Sequence, residues 1–106
     1  MEGQALKNKY FRAPSVPDVS IEDAFWSPRL KLIRDVMVPY QWRALHDEIP
    51  GVEKSGAVQN MRIAAGDAQG EFQGWVFQDS DLYKWMEAAS YLLAAQPDAQ
   101  LEAQVE

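Results

Sequence analysis

The sequence predicts a mostly α-helical fold, and three observations carry that expectation. Apolar residues recur at helical spacing over two long stretches, about 28–47 and about 79–95. Each stretch opens on residues that start helices, Ser27-Pro28 and Asp79-Ser80-Asp81. Each closes at a breaker, Pro50-Gly51 and Pro97.

Residues 1–15 mix charge, Asn and Pro, and read as an irregular lead-in with one large apolar pair, Tyr10-Phe11. Over 16–24 a short strand is expected. Val19 and Ile21 alternate with Asp18 and Ser20, and Pro17 confines the strand (16–21) to an edge or a strand start. A lone strand is not stable, and no convincing partner follows. The next helix places Leu30, Ile33, Met37, Tyr40 and Ala44 on one face. Pro39 lies inside that pattern and should kink or split the helix near Met37-Val38.

The stretch 51–78 is rich in glycine. One short helix fits at about 57–65, with Val58, Met61 and Ala65 on a face and Gly66 as terminator. The clearest helix follows. Asp79-Ser80-Asp81 suits its positive end, and Leu82, Trp85, Met86, Ala89, Leu92 and Leu93 form its apolar stripe. It should end near Ala95-Gln96. Asp98 then caps another helix, with Leu101 and Val105 on its inner face. An amphipathic helix stopping after about two turns suggests a chain cut from something longer.

Charge and composition narrow the function classes. The net charge is −6 and there is no basic stripe, so phosphate backbones and anionic membranes are unfavourable partners. Cysteine is absent, which removes disulfides, thiol chemistry and thiolate metal sites from these residues and fits a cytoplasmic location. No stretch approaches the ~20 apolar residues of a membrane helix, and Met1–Lys7 lacks the apolar run of a signal peptide.

Several residues invite a chemical reading beside a plainer one. Asp79 and Asp81 resemble the paired carboxylates of glycoside hydrolysis, but two residues apart at a helix start they point in different directions, and capping is the simpler account. His46 is the single histidine, and a metal there would need ligands from elsewhere. Trp85 at helical spacing is core, whereas Trp75 in the Gly-rich loop is open to stacking on a sugar ring. Asn60, Arg62 and Asp67 are polar groups around the short helix. No phosphate-binding loop and no nucleophile elbow occurs.

Four segments together resemble a known family. They are Phe25-Trp26-Ser27-Pro28-Arg29-Leu30, Val38-Pro39-Tyr40-Gln41, Asn60-Met61-Arg62, and the run from Phe77 through Asp79-Ser80-Asp81-Leu82-Tyr83-Lys84-Trp85-Met86-Glu87 to Ala88. Over roughly 16–106 the chain resembles the N-terminal region of glycoside hydrolase family 127, the β-L-arabinofuranosidases. The resemblance implies the N-terminal part of an (α/α)6 barrel catalytic domain over 25–106, with the short strand joining a β-sandwich in the full-length protein. It implies a retaining exo-enzyme that releases L-arabinofuranose, with a zinc-held cysteine as nucleophile and a glutamate as acid/base. None of those groups maps onto this chain, and Glu87 belongs to the helix motif. No catalytic residue and no metal ligand is therefore assigned.

The expected function is that of a fragment of such a hydrolase, inactive alone. Asn60, Arg62, Trp75 and Asp79 are its candidate substrate-binding residues. No cofactor is expected in this chain, with zinc expected in the full-length family member. The expected partner is an arabinose-containing oligosaccharide, without nucleic acid or membrane, and a homodimer is left open. Two other readings remain. One is a stand-alone helical interaction module using the faces around Leu82, Trp85 and Leu101. The other is a small enzyme built on Asp79 and Asp81.

Overall fold

The computed structural model describes residues 12–106, so the Tyr10-Phe11 part of the lead-in lies outside the described residues. Residues 12–15 carry no regular element. Among the described residues the chain is helix and turn, without a strand.

The expected strand over 16–21 is corrected first. Val16–Asp18 form a single 3-10 turn. The Ser15 N–H and hydroxyl both donate to the Asp18 carboxylate, at 3.1 and 2.5 Å, and curl the backbone at that point. Val19 beyond it is extended, with φ −119° and ψ 123°. Alternating side chains mark a segment that can pair, but a ladder needs a neighbouring strand.

Helix α1, Trp26–Leu32, starts two residues before Pro28. Its cap is Asp23 rather than Ser27. One Asp23 carboxylate oxygen accepts the N–H groups of Phe25, at 2.8 Å, and of Trp26. Ser27 answers by accepting the Asp23 N–H at 3.0 Å, a reciprocal arrangement like a capping box.

The helix does not break at Pro39. It passes through one π-helical turn, Ile33–Met37, into α2, Val38–Leu45. The Val38 N–H reaches back five residues to the Ile33 carbonyl. Pro39 has no N–H and its ring crowds the carbonyl four residues earlier, so a wider turn directly before it keeps the chain helical. The extra residue in that turn changes the buried face. Ile33, Val38, Trp42 and Leu45 point inward, at steps of five, four and three. The expected Leu30, Met37 and Tyr40 are exposed. A uniform step of three or four slips by one residue at the π turn.

Helix α2 ends in a Schellman motif. Asp47 adopts a left-handed φ of 60°, its N–H bonds the Ala44 carbonyl, and the Glu48 N–H bonds the Arg43 carbonyl. Helix α3, Ala57–Ala65, ends at Gly66 with φ 84°, as the sequence suggests. Helix α4, Asp79–Ala95, is the longest element, and α5, Ala99–Val105, follows an extended Gln96 and Pro97. Asp98 caps α5 by accepting the N–H groups of Gln100 and Leu101, at 3.1 and 3.0 Å.

Packing centres on α4, which α2, α3, α5 and the 3-10 turn all touch. Val38, Leu45, Ala57, Trp85, Ala89 and Leu101 form the buried core, with Leu82, Leu92, Leu93 and Val105 against it. Met86 lies at the margin of the expected stripe and is exposed. Trp85 is 3% exposed, its ring lies 4.7 Å from Trp42, and its indole N–H donates to the Val38 carbonyl at 3.0 Å. A buried indole N–H needs such a partner.

Two outcomes are expected. Trp85→Ala should destabilise the fold by ~3–5 kcal/mol in urea denaturation, and Trp85→Phe, which keeps a ring but loses the donor, by clearly less. Equal losses would show that the hydrogen bond, not the ring, dominates. The Ser15 hydroxyl and N–H hold the Asp18 carboxyl below its ordinary range. That turn is therefore favoured above the ordinary aspartate pKa and fades as pH falls through the lowered value. An NMR titration should show the Asp18 value rising toward ordinary in Ser15→Ala.

Candidate functional site

The Gly-rich stretch between α2 and α4 is built as an ordered loop, and Asp47 anchors it. With its backbone turned left-handed, its carboxylate accepts the N–H groups of Ser55, at 2.6 Å, and Gly56, at 3.1 Å from each oxygen. These bonds close the 48–54 loop and set the start of α3.

From α3, Asn60 holds the second half of the stretch. Its amide nitrogen donates to the Gln73 carbonyl at 2.7 Å, and its amide oxygen accepts the Gln73 N–H at 2.9 Å. The side chain thus mimics a neighbouring strand. Gly74 follows with φ 84°, and a Cβ there would stand 2.9 Å from the Ser55 carbonyl and closer still to the Gln78 side chain. Only glycine lets the two loop halves meet this closely. Gln78 then accepts the Trp75 N–H at 3.0 Å and leads into α4.

The loop presents Trp75, Val76 and Phe77 outward, at 66%, 86% and 59% exposure. The Trp75 and Phe77 rings are parallel within 9°, with centroids 6.1 Å apart. Two clefts lie among α2, α3 and α4. One, of about 480 Å³ between α2 and α4, has Trp85 and Leu45 in its wall and Gln41, Glu53, Asp81 and Lys84 around it. The other, smaller one lies beside α3 and includes Arg62 and Gln73.

The four candidate residues therefore do different things. Asn60 is committed to the backbone of Gln73, so it positions the loop. Arg62 lines the small cleft. Trp75 is free on the rim. Asp79 is exposed and accepts the N–H of its neighbour Ser80 at 2.9 Å, a bond that serves the helix start. Asp79 and Asp81 do not converge, since Asp81 lines the larger cleft and Asp79 does not. The His46 ring lies against Trp42, with centroids 4.0 Å apart and planes tilted by 44°, and its Nδ1 donates to the Trp42 carbonyl at 2.8 Å. Among the described residues, no three His, Cys, Asp or Glu side chains gather as metal ligands. Asp47, Gln73 and Gln78 were missed by sequence reasoning. Only Asp47 left a signal, as a short polar residue after a helix end, and Gly51 is the more conspicuous one there.

Helices gathered on α4, with a tightly bonded aromatic loop at its N-terminal end, define a segment of a helical domain. The sequence profile described as "Beta-L-arabinofuranosidase, GH127 catalytic domain" matches residues 18–106, and the chain belongs to that family. A non-reducing end β-L-arabinofuranosidase of Bifidobacterium longum subsp. longum is 43% identical over 98 residues, covering 81% of this chain and 15% of that protein. The crystal structure of a GH127 β-L-arabinofuranosidase from Geobacillus stearothermophilus superposes with a TM-score of 0.80 at 49% identity, covering 82% of this chain and 14% of that one. The chain thus spans a small part of the length of these relatives.

Asn60→Ala should free the loop while leaving α4 intact. The Gln73 amide should then exchange with deuterium about tenfold faster, as expected for ~1.4 kcal/mol of lost local stability. Gly74→Ala should destabilise by ~1–3 kcal/mol, because the left-handed backbone and the Ser55 carbonyl both oppose a Cβ. Unchanged exchange or melting would remove the loop from this account.

Proposed function

We propose that the full-length protein is an exo-acting, retaining β-L-arabinofuranosidase that hydrolyses terminal L-arabinofuranose from arabinose-containing glycans. The family match over 18–106, backed by the 49% identical solved structure, carries this reading. In it, α1 to α5 are early helices of an (α/α)6 barrel, and the extended backbone after the 3-10 turn is available to a β-sandwich strand. The exposed apolar residues Phe25, Trp26, Leu32 and Val36 fit helices that continue to pack in a larger domain.

These residues contribute binding rather than chemistry. Trp75 offers its exposed face to a sugar ring, Arg62 offers donors to hydroxyl or acidic groups, and Asn60 holds the loop that carries Trp75. Asp79 is an exposed acceptor at the same end of α4.

The zinc that the family resemblance implies does not fit the donors present. The chain has no cysteine, its one histidine gives Nδ1 to Trp42, and no carboxylate cluster completes a set among the described residues. No step is derived through it, and the catalytic groups are proposed to belong to other parts of the longer enzyme.

The full-length protein should release L-arabinose from an aryl β-L-arabinofuranoside with retained configuration, read by NMR of the first-formed anomer. An α-linked substrate should be untouched. No release from the β-substrate would overturn the reading. Trp75→Ala should raise KM about fivefold on an oligosaccharide, the equivalent of ~1 kcal/mol of stacking.

A further inference from the structure

The small cleft beside α3 has a chemistry of its own. It encloses about 200 Å³ and is lined by His46, Asp47, Lys54, Gln59, Arg62 and Gln73, with apolar Leu45 and Val58 behind them. Two of these side chains are permanent cations. The ion pairs among the described residues are Lys31–Asp35 and Lys84–Glu87, and neither Lys54 nor Arg62 belongs to one there. The one carboxylate in the lining, Asp47, is held by the N–H groups of Ser55 and Gly56 and keeps its charge, so two cations stand against one anion there. Both amides, Gln59 and Gln73, can add donors. His46 has Nδ1 committed to Trp42, which leaves Nε2 as its free position. In a chain of net charge −6, a hollow lined by two cations against one carboxylate favours an oxyanion over a neutral ligand.

We propose that this cleft binds the carboxylate of a uronic acid residue in the glycan substrate. The anion site rests on the geometry, and its assignment to a uronate rests on the glycan reading above. Arg62 supplies a planar pair of donors suited to a carboxylate, and Lys54 adds a point charge. Gln73 lies in the cleft and Trp75 is two residues further along the same bonded loop. Neutral glycans gain nothing from two cations, so the site selects acidic chains.

Isothermal titration of the full-length protein at low ionic strength tests this, with methyl galacturonide, neutral methyl galactoside and inorganic phosphate as separate probes. The uronide should bind at least ten times more tightly than the galactoside and weaken as salt is added. Lys54→Gln and Arg62→Gln should each weaken uronide binding about fivefold, and Arg62→Lys should retain part of it. Equal binding of the neutral sugar would overturn the proposal. So would undiminished uronide binding in the Lys54→Gln, Arg62→Gln double variant. Binding of phosphate without the uronide would also overturn it, by showing an anion site of another kind. Binding is read without hydrolysis, so failure here is distinct from absence of arabinofuranosidase activity.

Discussion

Trp85 is the contact on which the rest of the structure depends. Its ring fills the space between α4 and α2, and its indole N–H is satisfied by the Val38 carbonyl. That one side chain joins residues 47 positions apart in sequence. Its seat exists because the π turn rotates Val38, Trp42 and Leu45 inward together. A regular α-helix through Pro39 would present Met37 and Ala44 to α4 instead, with less volume and no tryptophan for Trp85 to rest against. The proline and the tryptophan are therefore parts of one device. The first forces the wider turn, and the second uses the face that the turn creates.

A second device, made of polar groups, organises the candidate site. Asp47 ends α2, bends the chain and then receives the start of α3. Asn60 and Gly74 bring the far half of the loop back onto that junction. Apart from the backbone bonds that end α2, the bonds of Asp47, Asn60 and Gln78 run from a side chain to backbone. Such bonds fix the path of a loop that has few apolar contacts of its own. Gln73, held by Asn60, lines the cationic cleft, and the aromatic rim begins two residues further along the same chain.

Much of the helix content was legible in the sequence. The short helix at 57–65 with its Gly66 terminator, the long helix ending at Ala95, the Asp98 cap and the burial of Trp85 and Leu101 all follow from local rules. The four motif segments also pointed to the family. What escaped was non-local. Periodicity assumed one helical step throughout and put Met37 and Tyr40 inside. Alternation suggested a strand where Ser15 and Asp18 make a turn. Ser27 looked like a cap because Ser-Pro is a common helix start, while Asp23 was closer to the free N–H groups. At the site, Asn60 read as a ligand contact, since nothing nearby in sequence reveals Gln73 as its partner.

The sequence by itself determined where helices form, which residues stop them, and which family the chain resembles, because capping, breaking and motif identity are properties of short windows. The tertiary structure decided which helical face is buried, which polar side chains are already spent on backbone, and which remain free for a ligand. Those depend on partners 13 to 47 residues away, as in the Asn60–Gln73 and Trp85–Val38 pairs. No local pattern encodes a partner at that distance, so only the folded chain separates a positioning residue from a binding one.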